Sequence, residues 1–274
     1  MKHGIHEIIE SVPLPSTEWM RENKIIPAST TSLSTMDTCP MKFNGSYGVT
    51  IEKVPYVQNK AAIYGDLAHE SIENYLKYDI PISQRFLNDM PNLMRKVDYV
   101  KNHHAFNPAM IEKDLAINAN GDHTWRTRAL GVKSDVIIDV SPSTKIYIDW
   151  KTDGTHNWRG IAKQPSPKSI QVELTAIIMF MQFPEMTSLI CTLEFLMHDK
   201  KYVYVFKRDK STYTTISPAG FASEGDFKYP IKIAKYWALQ KARNFPQQPS
   251  GLCNGWCEVS TCPEWKPKST AQKL

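Results

Sequence analysis

Lys133-Ser134-Asp135-Val136-Ile137-Ile138, followed after the turn cluster Ser141-Pro142-Ser143-Thr144 by Ile148-Asp149-Trp150-Lys151-Thr152, decides how this chain folds. Both runs are rich in β-branched residues and the segment between them is turn chemistry. The stretch therefore predicts two antiparallel strands and a tight connection. With the turn centred on Pro142, Asp135 falls opposite Asp149. Directly opposed residues of an antiparallel ladder hold their Cβ atoms about 4.5–5.5 Å apart. Two carboxylates at that spacing repel. Their neighbours Val136, Ile137, Ile138, Ile146, Tyr147 and Ile148 make ionised acids costly unless they are paired or metal-bound. A divalent cation turns the repulsion into attraction. Asp149 and Lys151 share a strand face, while Trp150 points the other way, into the packing.

Working outward, Met110–Asn118 reads as a preceding strand that carries Glu112, with Gly121-Asp122 as a turn after it. Leu67, Ala68, Ile72, Tyr75 and Leu76 recur at helical spacing, so Gly65–Tyr78 reads as a helix with His69 beside its apolar stripe. Arg85–His104 reads as helical with an interruption at Pro91, and Lys168–Phe183 as a strongly apolar helix stopped by Pro184. Thr187–Met197 and Lys201–Arg208 form a hairpin over His198-Asp199-Lys200. Phe221–Asn244 reads as one long amphipathic helix with a break at Pro230. A short helix runs from Ser32 to Cys39, and Met1–Thr31 shows no firm periodicity. The order implies an α/β fold, a mixed central sheet flanked by helices. We expect a single domain over 1–274 with its core at about 60–215.

The 274 residues, 42% hydrophobic, suffice for a packed core. A net charge of +5 permits a polyanionic partner without demanding one. The longest apolar run, Ala176–Met181, is too short to span a membrane, and Met1–Glu10 lacks the apolar core of a secretory signal. The expectation is a cytoplasmic chain with no membrane partner. The basic end, Lys266–Lys273, reads as a frayed tail. No Gly-x-x-x-x-Gly-Lys-Ser/Thr phosphate loop occurs, so no helicase motor is expected.

Five cysteines, an odd number, argue against a disulfide framework. Cys191, inside Leu189–Leu193, reads as a buried small hydrophobe. Cys253, Cys257 and Cys262 crowd a loop-rich segment, and Cys39 offers a distant fourth thiolate. Four thiolates suit an iron–sulfur cluster or a structural zinc, either of which would staple the Cys-rich segment at about 245–265 back onto the N-terminal region at about 32–60.

Singly, each charged residue has an ordinary reading: alternating charge on a strand is usually a solvated face, and a helical His is usually a boundary residue. Together they are what phosphodiester hydrolysis uses. That chemistry needs a cation held by oxygens and an imidazole, an aimed water, and a positive group beside the developing charge. Asp135 and Asp149 supply oxygens, His69 the imidazole, Lys151 the positive group, and Glu112 an outer acid.

Ser32-Leu33-Ser34 to Cys39-Pro40, Gly65-Asp66-Leu67-Ala68-His69, Glu112, Gly131 to Asp135, Asp149-Trp150-Lys151-Thr152, Gln171, and Cys253, Cys257 and Cys262 follow one another in an order that resembles the PD-(D/E)xK nuclease superfamily. The resemblance is to its RecB-like branch with a four-cysteine iron–sulfur staple, which includes CRISPR-associated four-cysteine exonucleases and phage exonucleases. It implies a restriction-endonuclease-like fold, with Mg²⁺ or Mn²⁺ bound by His69, Asp135 and Asp149. It implies that Lys151 serves the attacking water and that Gln171 orients Lys151 or the DNA. Cys39, Cys253, Cys257 and Cys262 would hold a 4Fe-4S cluster, with zinc as the alternative. The implied activity is a metal-dependent DNA exonuclease leaving 5′-phosphate ends in recombination, repair or degradation, of a phage type acting in the host cytoplasm. A recombination-protein partner is a further implication. The alternative is a non-catalytic DNA-end-binding or scaffold subunit of the same fold.

Overall fold

The computed structural model describes residues 4–11, 14–152, 169–255 and 257–267. Lys168 and most of the basic tail lie outside the described residues. The strands are β1 (Ala28–Ser29), β2 (Ile111–Ile117), β3 (Leu130–Ser141), β4 (Thr144–Lys151), β5 (Ser188–Phe195), β6 (Lys200–Lys207), β7 (Thr212–Ile216) and β8 (Ala222–Asp226). The helices are α1 (Ile5–Glu10), α2 (Thr17–Glu22), α3 (Thr30–Thr38), α4 (Pro40–Tyr47), α5 (Lys60–Tyr78), α6 (Gln84–Asp89), α7 (Leu93–Lys101), α8 (Ser169–Gln182) and α9 (Tyr229–Lys241). The fold is α/β, with a mixed eight-stranded sheet in the order β1-β3-β4-β5-β6-β7-β8 and β2 paired with β3. β1–β3 and β4–β5 are parallel; β3–β4, β5–β6, β6–β7 and β7–β8 are antiparallel.

The chain divides into two compact units, one of residues 1–11, 58–115 and 132–227, the other of 12–57, 116–131 and 228–274. In the first, alternation along the central hairpin sends Val136, Ile138, Ile148 and Trp150 to one sheet face. There they are buried with Ala68, Ile72 and Leu76 of α5 and Val97 and Val100 of α7. β4 and β5 need a crossover because they run parallel, and α8 lies in it. Residues 171–180 of α8 are all buried, which explains why the helix is strongly apolar; the polar exceptions in that stretch are Gln171, Glu173 and Thr175. The second unit packs Phe43 of α4 against Tyr236 of α9 and against Phe245. Gly45 lies so close to Val259 that an added Cβ would stand 2.5 Å from Val259 Cγ2.

One stretch differs from its sequence reading. Residues 221–244 are not a single helix: 222–226 form β8, and α9 starts only at Tyr229. Pro230 does not break a helix but begins one, at the position where its missing N–H costs nothing. The turn Ser217–Gly220, with Gly220 at φ +84°, returns β8 alongside β7, itself a strand the periodicity did not mark. Two helices, α1 and α2, also occupy the N-terminal stretch that shows no periodicity.

Ile138 is fully buried in the central hairpin. Ile138→Ala is expected to cost about 2–5 kcal/mol of unfolding free energy, read from urea denaturation. A loss under about 1 kcal/mol would contradict this inward facing.

Candidate metal centre

The β3–β4 register pairs Val136 with Ile148, Ile137 with Tyr147 and Ile138 with Ile146. One step further along that register sets Asp135 beside Asp149. Asp135 Oδ2 accepts a hydrogen bond from the Trp150 main-chain N–H at 2.6 Å, and Asp135 Oδ1 lies 3.4 Å from His69 Nδ1. α5 presents His69 one turn after Gly65, where an added Cβ would come within 3.0 Å of Thr152 Oγ1. The absent side chain lets the helix approach the end of β4.

Glu112, expected as an outer acid, lies among the donors. Its side chain is only 12% exposed, and Lys133 Nζ pairs with it at 2.7 Å. Ligand atoms of His69, Glu112 and Asp135 all lie within 4.8 Å of one another, the one such group among the described residues. Glu112 has φ +53°, a left-handed conformation in which a β-strand residue without a glycine's freedom is strained by about 1–3 kcal/mol. Nothing in Ile111-Glu112-Lys113 announces that backbone, and strand spacing alone puts this acid at the periphery.

Asp149 has different partners. Its side chain is 5% exposed and forms an ion pair with Lys151 through Oδ2. Oδ1 accepts from Gln171 Nε2 at 2.5 Å and from the Tyr147 hydroxyl at 3.3 Å. Gln171 stands in the first turn of α8, whose Thr175 hydroxyl donates to the Gln171 carbonyl at 2.9 Å. The structure thus brings His69, Glu112 and Asp135 into one group, and Asp149, Lys151 and Gln171 into another, joined across the hairpin.

The electrostatics follow from this crowding. Burial raises the Asp149 carboxyl above its ordinary value; Lys151 opposes the rise and Asp135 adds to it. Glu112 is also raised, first by burial, with Lys133 countering and Asp135 reinforcing. For His69 burial acts downward, but the hydrogen bond and charge of Asp135, followed by Asp149 and Glu112, outweigh it and raise the imidazole. The cleft above is walled by Asp66, Glu70 and Glu73 as well. A site so acidic repels phosphate unless a cation intervenes, and a hard divalent cation takes oxygen donors with an occasional imidazole. The donor set fits such an ion.

In the second unit, Cys39, Cys253, Cys257 and Cys262 line one cavity. Cys39 is the N-cap of α4, with Pro40 at its first turn. Burial raises the Cys257 thiol. Cys191 is fully buried in β5.

Mn²⁺ is expected to raise the thermal midpoint of the protein by mass action. Asp135→Asn, which removes a donor and relieves the repulsion on Asp149 and Glu112, is expected to abolish that rise while leaving the midpoint in EDTA unchanged or higher. An undiminished Mn²⁺ shift in Asp135→Asn would remove this carboxylate from the ion's shell. No protein-family model matches the chain, and no curated protein matches it.

Proposed function

We propose that this chain is a Mg²⁺- or Mn²⁺-dependent deoxyribonuclease of the PD-(D/E)xK type, an exonuclease leaving 5′-phosphate ends. The observation that carries the reading is the β3–β4 hairpin, which opposes two carboxylates, Asp135 and Asp149, and seats Lys151 on the second.

His69, Glu112 and Asp135 would hold the cation, with Asp149 as the donor across the hairpin. Bound there, it would supply positive charge to a phosphoryl oxygen and acidify water. The protein groups have separable tasks. The Trp150 N–H fixes one oxygen of Asp135 and so turns the other toward His69. Gln171 and Tyr147 fix Oδ1 of Asp149, which leaves Oδ2 to Lys151. Lys151 Nζ would then orient the attacking water and offset charge that develops on the phosphate. Its own charge is balanced by Asp149 until substrate arrives.

We read Cys39, Cys253, Cys257 and Cys262, which line one cavity, as the ligands of a 4Fe-4S cluster, with a structural zinc as the alternative.

With Mn²⁺ and end-labelled DNA, the protein is expected to release nucleotides, and Asp149→Ala to abolish release. Lys151→Ala should lose roughly 10²–10³ in turnover while metal and DNA affinity persist. No cleavage by the intact protein, or cleavage untouched by Asp149→Ala, would favour a non-catalytic DNA-end-binding subunit.

Protein purified without oxygen is expected to be brown, absorbing at about 400 nm, with iron bound. A colourless protein carrying stoichiometric zinc would replace the cluster by the simpler staple.

A further inference from the structure

The second unit contains a concave site of opposite charge. A cleft of about 540 Å³ is lined by the cations Arg21, Lys24, Arg126 and Arg128, and by no acid. Elsewhere, lysines meet carboxylates: Lys77 with Glu73, Lys133 with Glu112, Lys151 with Asp149. Among the described residues, no ion pair joins Arg21, Lys24 or Arg126 to a carboxylate.

The cleft is built by several independent devices. α2 ends in a Schellman motif: the Lys24 N–H donates to the Arg21 carbonyl at 3.3 Å and the Ile25 N–H to the Met20 carbonyl at 2.8 Å. Met20 and Ile25 make the accompanying apolar contact. The residue that turns left-handed, at φ +50°, is Lys24. Glycine is favoured at that position and a side chain there costs about 1–2 kcal/mol. The fold thus accepts strain at a point that carries an ammonium group to the cleft.

Arg128 is fixed on the other side. Its guanidinium lies 3.9 Å from the centre of the Trp125 ring, and Nη1 donates to the Trp125 carbonyl at 2.6 Å. Gly131 makes this packing possible, since an added Cβ would meet Arg128 Cδ at 2.4 Å. The Ile26–Pro27 wall is held from behind. The Tyr236 hydroxyl reaches both the Ile26 and Pro27 carbonyls at 3.1 Å, and Gln240 Oε1 accepts from the Ile26 N–H at 2.8 Å. The Thr17 hydroxyl donates to the Thr127 carbonyl at 3.2 Å, tying α2 to the Arg126–Arg128 segment.

We infer that the cleft bounded by Arg21, Lys24, Arg126 and Arg128 binds the phosphate backbone of a nucleic-acid strand. Guanidinium groups pair with phosphate oxygens through parallel N–H donors, and a lysine adds a point charge. The apolar floor of Met20 and Ile25 carries no acceptor that would compete. The choice of nucleic acid over other phosphate ligands rests on the nuclease reading.

The test is fluorescence anisotropy of a labelled single-stranded oligodeoxynucleotide with the full chain in EDTA, over a range of salt concentrations. Without a divalent cation, an inert active site leaves the result unaltered, so failure of the nuclease reading and failure of this one are told apart. The triple variant Arg21→Gln, Lys24→Gly, Arg126→Gln is expected to bind at least about tenfold more weakly, with the slope of log K against log salt reduced by about 2, at roughly 0.7 per lost single-strand phosphate contact. Lys24→Gly alone should weaken binding without lowering the thermal midpoint, because glycine suits the left-handed position. Affinity and salt slope equal to those of the unaltered protein in the triple variant would overturn the proposal. So would pyrophosphate displacing the oligonucleotide completely at matched ionic strength, since that would assign the cleft to a compact phosphate ligand.

Discussion

The structure turns on two like charges that the backbone forces together. The β3–β4 register opposes Asp135 and Asp149, and a one-residue slip would send every apolar side chain of the hairpin to the wrong face. Burial of Ile138, Ile148 and Trp150 therefore fixes the acids as firmly as it fixes the core. At about 5 Å and an effective dielectric near 20, two such charges cost about 3 kcal/mol. The neighbours are arranged against that cost: Lys151 on Asp149, His69 and the Trp150 N–H on Asp135, Lys133 on Glu112. Helices α5 and α8 each add one further partner, His69 to Asp135 and Gln171 to Asp149.

Bulk charge conceals this organisation. A net charge of +5 describes an unremarkable basic protein. Resolved by unit, the chain holds an acidic cleft walled by Asp66, Glu70 and Glu73 and a basic one walled by Arg21, Lys24 and Arg126. The two have opposite requirements for phosphate: the first repels it unless a cation is present, and the second attracts it without one.

Much of the fold was legible because strong apolar periodicity and turn chemistry coincided. The Pro142 hairpin, the α5 stripe of Ala68, Ile72 and Leu76, and the strongly apolar α8 each carry a signal that tertiary packing had no reason to override. The stretch 221–244 misled because Pro230 marks a helix start as well as a helix break, and because Ala222–Asp226 has neither β-branched residues nor alternation. At the candidate site, Asp135, Asp149 and Lys151 were readable from strand spacing, and their mutual placement follows from it. The place of Glu112 was not, because it depends on a left-handed backbone at a residue with no local preference for one. The basic cleft was equally hidden: Arg21 and Lys24 come from one end of a six-residue helix, and Arg126 and Arg128 from a segment a hundred residues away in the chain.

The crossover between β4 and β5 has a consequence for how the protein comes into being. Ser143 and Thr187, which bond at the start of that parallel pair, are 44 residues apart, whereas the hairpin partners Ser141 and Thr144 are almost adjacent. Closing the longer loop costs more chain entropy, so the hairpin forms early and the parallel ladder late. A nascent chain therefore has Asp135 and Asp149 facing each other while α8, with Gln171, is still to arrive. Until α8 docks, Asp149 lacks its Gln171 bond, and the cation that opposes its charge is Lys151, two residues along the same strand.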